Sequence, residues 1–236
     1  MRRVCCSALA VAAVMLVPRV GIAQAQMEPT RGVTGGGISA PGWMGRIDAS
    51  EAAKGQALTD AKLAPEGKDL RVTTGPAVTY WNPANKAAGN YTVKATFTES
   101  NYMGLNDHPH PYGIVIGGND LGAPTQSFIY CSAYGNGTFI VRGMGPAPFA
   151  VSARRPEPNA AVAKAAAKGS SVTQEIAMAV KGDKVECSVN GTVVGSYDKA
   201  AVVGAGKLKS TDGVYGIRFA HNTEASVKGL AMTKLQ

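Results

Sequence analysis

The sequence is poor in charge, in aromatic rings and in histidine, and its apolar runs are short. Charged residues make up 17% of the 236 positions and aromatic residues 6%, and there are three histidines. With 45% hydrophobic residues, so low a charge excludes a self-repelling disordered chain and leaves enough apolar mass for a sizeable core. No run of five Lys or Arg occurs, and no basic stripe interleaved with aromatics, so nucleic acid is not an expected partner. Gly-x-Ser-x-Gly is absent, and no cysteine beyond the first six residues has a histidine beside it, so no local signature of nucleophilic catalysis is present. The 29 glycines and 13 prolines follow no triplet period, which excludes collagen; they punctuate short apolar runs, as in turn-rich β proteins.

The amino terminus is composed for export. Met1-Arg2-Arg3 is followed by the apolar run Val4 to Val17, then Pro18, then small residues at Ala23 and Ala25. This is the order of a secretory signal peptide over residues 1–25, with cleavage expected after Ala25. The apolar run is shorter than the roughly 20 residues a membrane helix requires, so no membrane span is expected after signal removal. Cys5 and Cys6 stand too early in the leader for a lipidated cysteine. Loss of Arg2, Arg3 and Arg19 lowers the formal charge from +8 to about +5, which suits solubility or loose attraction to acidic polymers. A periplasmic or secreted location is expected. Of four cysteines, Cys131 and Cys187 then remain, and two readings stand for them: one disulfide, or two buried thiols.

Residues 26–41 hold a glycine triplet and little that can be buried, and read as a flexible linker. From Gly42 onward the period is two. Tyr91, Val93, Ala95 and Phe97 alternate with Thr92, Lys94 and Thr96, which is a strand with one dry and one wet face. Gly135-Asn-Gly137, Lys181-Gly-Asp183 and Asn190-Gly191 each sit between two such runs and predict three hairpins. About a dozen short strands joined by tight turns predict an all-β, two-sheet antiparallel sandwich as one domain over 42–236. The alanine-rich segment from Asn159 to Lys168, closed by Gly169, reads as one short surface helix or a disordered insert.

The order of several pieces is telling: Gly75-Pro-Ala-Val-Thr-Tyr-Trp-Asn-Pro83, Gly89 to Phe97, and Tyr112-Gly-Ile-Val-Ile-Gly-Gly118. Gly137 to Arg142, Val185-Glu-Cys-Ser-Val-Asn-Gly191 and Asp212-Gly-Val-Tyr-Gly-Ile-Arg-Phe219 follow. Over roughly residues 70–236 this resembles the laminin-G-like, concanavalin A-like lectin/glucanase superfamily. The resemblance implies a jelly roll and a range of roles: sugar binding, protein binding, or cleavage of polysaccharides. The Glu-x-Asp-x-x-Glu strand motif of the glucanase branch is missing; Glu186 in Lys184-Val-Glu-Cys-Ser-Val-Asn190 stands alone. Fold likeness by itself assigns no activity.

Several residues are candidates for a site. His108-Pro109-His110-Pro111 places two imidazoles on one side of an extended segment, with Asp107 adjoining and His221 as the third histidine of the chain. Such a set serves ligand contact or metal binding; its plain alternative is a rigid polar loop. Asn119 and Asp120, at the end of an apolar strand, offer oxygen ligands of the kind calcium takes, or an Asx turn that ends the strand. No cofactor is expected from the sequence, and calcium is the one alternative that these oxygens offer.

Tyr112, Tyr130 and Tyr134 offer flat faces for sugar rings. Two orientations are open for the strand Phe128 to Tyr134. If Cys131 faces inward, the Phe128/Tyr130/Tyr134 stripe is turned to a ligand face; if not, these rings are core. Trp43 and Trp81 are expected in the core. Arg142 and Arg218 interrupt apolar strands and suit either sugar contacts or ion pairs. Two functional readings follow: an exported carbohydrate-binding or interaction module whose partner is a glycan or another extracytoplasmic ligand, or a polysaccharide hydrolase or lyase using histidine and carboxylate groups. The first is preferred because no catalytic pair is visible.

Overall fold

Alternation of apolar and polar residues, broken every few positions by Gly, Asn or Pro, yields strands almost throughout. The computed structural model of the chain describes residues 29–236, so the signal peptide expected over 1–25 lies outside the described residues. The first strands are β1 (Gly37–Ile38), β2 (Met44–Ile47), β3 (Ala61–Glu66), β4 (Asp69–Thr74), β5 (Val78–Ala87) and β6 (Tyr91–Glu99). The middle ones are β7 (Tyr112–Asn119), β8 (Ser127–Tyr134), β9 (Thr138–Met144), β10 (Pro148–Ala150) and β11 (Glu157–Pro158). The last are β12 (Val172–Lys181), β13 (Lys184–Val189), β14 (Thr192–Asp198), β15 (Gly213–Phe219) and β16 (Glu224–Lys234). One sheet runs β1-β3-β4-β16-β6-β12-β13-β14, the other β10-β9-β8-β7-β15-β5-β2, with β11 also on β9. All pairings are antiparallel except β1 with β3. This is a two-sheet jelly-roll sandwich.

The inward faces follow the period-two pattern. Tyr91, Val93, Ala95 and Phe97 of the first sheet are buried while Lys94 is exposed; Tyr112, Ile114 and Ile116 of the second sheet face them. Phe97 stacks on Tyr112 at 5.4 Å between ring centres, and Phe219 closes the triad at 6.1 and 5.9 Å. Each such ring pair adds about 1 kcal/mol beyond simple burial. Cys131 and Cys187 also face inward, and a disulfide joins them across the sheets with 5.9 Å between Cα atoms. Of the two readings of this cysteine pair, the bridge is the one realised.

Asn190 and Gly191 both have positive φ, 49° and 80°, as a two-residue hairpin of this kind demands, and the other two expected hairpins are also present. Gly216 is needed for close approach: a Cβ there would lie 2.2 Å from the Tyr80 carbonyl oxygen.

Two segments differ from expectation. The part of the linker that is described is fastened to the sandwich: Arg31 N–H donates to Asn222 Oδ1 at 2.8 Å, β1 pairs with β3, and Ala40 is buried. The alanine-rich segment at 159–168 forms turns rather than a helix. Val162 sinks into the core, and the Ala161 carbonyl and Ala165 N–H bond to Asn190 Nδ2 and the Gly135 carbonyl. These long-range anchors override a modest helix propensity. The short helices lie elsewhere, at α1 (Ala49–Ala52) and α2 (Lys199–Val202).

Candidate functional site

The three histidines converge at one end of the sandwich. In the β15–β7 ladder Phe219 pairs with Tyr112, and Ala220 N–H donates to the Pro111 carbonyl, so the next step of the register sets His221 opposite His110. Pro109 and Pro111 keep residues 108–110 extended, which turns His108 to the same side as His110. The result is a cluster in which ligand atoms of His108, His110 and His221 all lie within 4.8 Å of one another. His110 Nε2 is 2.8 Å from His108 Nε2, and the His110 ring stacks on that of His221 at 4.2 Å.

The outer nitrogens are oriented. His110 Nδ1 meets the His221 carbonyl oxygen at 2.5 Å, and His108 Nδ1 meets Asp107 Oδ1 at 2.5 Å. The His221 carbonyl also accepts from Thr223 Oγ1, and Asn106 Nδ2 donates to the Asn222 carbonyl, which ties the two loops together. His110 is buried and His108 is more than half exposed. Burial, reinforced by the neighbouring His221 imidazole, pushes the His110 pKa down to about 4, against the opposing effect of its bond to the His221 carbonyl.

A second polar constellation occupies the outer face of the second sheet. Because Cys131 points inward, Phe128, Tyr130 and Tyr134 point outward, where they are joined by Thr79, Trp81, Arg142 and Arg218. This face differs from that of the first sheet, which is wet and laced with exposed ion pairs such as Lys94–Glu175. Here three segments fold over the strands. Arg218 reaches Asp48 with two hydrogen bonds of 2.8 and 2.5 Å and Thr79 Oγ1 with a third of 2.9 Å, and its guanidinium lies 4.8 Å from the Tyr130 ring centre. Arg46 donates to the Ala123 carbonyl, and a Cβ at Gly122 would lie 3.6 Å from the Trp81 ring. Arg142 donates to the carbonyls of Val141, Ser152 and Arg154. Between these segments is a cleft of about 310 Å³ lined in part by Arg46, Asp48, Gln126, Met144, Pro146 and Pro148.

The expected site residues therefore divide. His108 and His110 sit together with His221. Tyr130 and Tyr134 are half-buried on the outer face, and burial raises the Tyr134 pKa to about 12. Tyr112 is a correction: it is wholly buried between the sheets, because the inward parity of Ile114 and Ile116 carries it into the core. Arg218 is a correction too, for it is buried and its donors are engaged by Asp48 and Thr79, not turned to solvent. Trp81 is buried as expected, although beneath Gly122 on the outer face. Asn119 donates its amide to the Gly117 and Asp212 carbonyls, and Asp120 accepts from Lys209 and Thr125, so a calcium ion here would have to displace Lys209. Asp48, the partner that decides the fate of Arg218, gave no signal in the sequence because 170 residues separate the two.

Comparison with known proteins supports the fold. No protein-family model and no curated protein matches the chain. Among solved structures, the carbohydrate-binding module CBM66 from Bacillus subtilis is 6% identical with a TM-score of 0.55, the match covering 84% of this chain and 98% of that one. A protein of unknown function with a galectin-like fold, also from Bacillus subtilis, is 13% identical with a TM-score of 0.52, over 81% and 89% of the two chains. At such identities the likeness is one of architecture alone: a two-sheet jelly roll.

Proposed function

We propose that the protein is an exported glycan-binding module that takes its ligand over the outer face of the second sheet and does no chemistry on it. The observation that carries this reading is the half-buried Tyr130 ring, with the Arg218–Asp48 pair behind it and the cleft of Arg46, Asp48 and Gln126 alongside. An aromatic ring near a polar cleft is the composition that holds a sugar ring by its apolar face and its hydroxyls, while the buried Arg218–Asp48 pair holds that face in place without itself reaching the ligand. Loops laid over a rigid sheet are the usual carriers of such contacts. The shared architecture with a carbohydrate-binding module is in keeping with this, and the disulfide accords with an oxidising, extracytoplasmic location. Among the described residues no helix is long and apolar enough to cross a membrane.

The test is a glycan array followed by titration of the best ligand. Binding that weakens by roughly tenfold or more in Tyr130→Ala supports the reading, in line with the energies of aromatic anchors at interfaces. Absence of binding to every glycan, or equal binding by the variant, refutes it.

A second reading, a polysaccharide hydrolase or lyase, is favoured by one observation: His108 is oriented by Asp107 at 2.5 Å, as a general base is by its carboxylate. Release of reducing ends from mixed polysaccharides, lost in the His108→Ala, His110→Ala double variant, would establish it.

A further inference from the structure

We propose that His108, His110 and His221 form a binding site for a divalent transition-metal ion of the zinc or cobalt class. The site is separate from the outer-face cleft and does not depend on the glycan reading.

The partners of the two Nδ1 atoms fix where the ring hydrogens sit. His110 Nδ1 faces a carbonyl oxygen and His108 Nδ1 a carboxylate oxygen, and both partners can only accept. Each Nδ1 therefore carries a hydrogen, and in the neutral rings the lone pairs are on the Nε2 atoms. Those two atoms point at one another from 2.8 Å. A metal ion facing both atoms would use both lone pairs in place of the hydrogen bond they now share, and the third imidazole brings its own nitrogen within 4.8 Å of the pair. Tetrahedral zinc with bonds of about 2.0 Å sets its nitrogen ligands roughly 3.3 Å apart, so small rotations of the rings suffice.

The surroundings complete the pattern. A metal-bound imidazole normally gives its other N–H to a carboxylate or carbonyl, which fixes its tautomer and aim. Asp107 and the His221 carbonyl fill these places. The scaffold is stiff, since two prolines hold the first pair of ligands and the β7–β15 ladder fixes the third opposite them. Three imidazoles select zinc, copper, nickel or cobalt, and they are poor ligands for calcium, which takes oxygen. With three protein ligands, at least one coordination position is left for water or a bound molecule.

Protein freed of metal with a chelator, and carrying no histidine tag, is titrated calorimetrically with Zn2+ and, in parallel, with Co2+ under visible absorption. The expected result is one ion per chain, cobalt ligand-field bands in the visible, and no response to Ca2+. His108→Ala should weaken binding by roughly a hundredfold; because His108 is on the surface, its loss leaves the fold intact, which circular dichroism verifies. Asp107→Asn should weaken binding by about tenfold, the effect of removing an orienting partner. Absence of saturable Zn2+ binding at micromolar concentration overturns the proposal. So does binding that is unchanged in both His108→Ala and His221→Ala, or binding of Ca2+ alone.

Discussion

Arg218 and Asp48 meet in a two-armed ion pair on the outer face of the second sheet, although 170 residues separate them along the chain. The pair fastens the segment that leads into α1 onto β15, and Tyr130 covers the guanidinium from the other side. Removing one member leaves the other charge buried. Asp48→Ala should therefore cost about 3 kcal/mol in urea unfolding, whereas Arg218→Met combined with Asp48→Ala should recover much of that loss. A single variant as stable as the parent would contradict this account.

The disulfide spans 56 residues and joins the middle of one sheet to the other. A bridge closing a loop of that size restrains the unfolded chain by about 4 kcal/mol. Thermal melts with and without a strong reductant should differ by many degrees, and the Cys131→Ala, Cys187→Ala variant should match the reduced parent and ignore the reductant. Equal melting of the oxidised and reduced parent would show that the bridge adds nothing.

Gly113 lies in β7 opposite Ser132 of β8. A Cβ at this position would lie 1.9 Å from the Cys131 carbonyl oxygen, and the obstacle is backbone, which cannot swing aside. Gly113→Ala should force the strands apart and lower stability by at least 2 kcal/mol, within the range known for overpacked sites. The expected signature is a lower denaturation midpoint together with exposure of the neighbouring core to a hydrophobic dye.

Where a feature depends on neighbours a few residues away, the sequence displays it plainly. The alternation of Tyr91 to Phe97, the Asn190-Gly191 turn and the shared side of His108 and His110 are local consequences of strand geometry and turn chemistry. Cys131 shows the limit: its strand was legible, but the face it takes is set by Cys187 on the other sheet. The same holds for Tyr112, where an exposed platform and a core ring look alike in sequence until Phe97 is seen stacked on it. His221 belongs with His110 only through the register of β15 against β7, and register is a property of the pair of strands. The alanine-rich stretch at 159–168 failed as a helix because Val162 found a place in the core.

Glu99 ends β6 on the inward side, continuing the parity of Phe97, and only 3% of it is exposed. Its Oε1 accepts from the Met103 N–H at 3.2 Å, while its Oε2 is buried without a hydrogen-bond partner among the described residues. Burial pushes its pKa up from 4.5 to about 7; the Met103 N–H opposes the shift and the charge of Glu224 adds to it. In the unfolded chain the carboxyl is ionised above pH 4.5, whereas the folded protein keeps its proton up to about pH 7. Across that window the native state binds more protons than the unfolded one, so stability falls as pH rises, and above it the full cost of the buried charge is felt. Glu99→Gln keeps an acceptor for Met103 and removes the charge. It should flatten the dependence and, at pH 8, exceed the parent by on the order of 2 kcal/mol, a figure already reduced for partial screening. Urea unfolding of both proteins at pH 5 and pH 8 decides the matter: two parallel profiles would mean that Glu99 is ionised at little cost in the folded state.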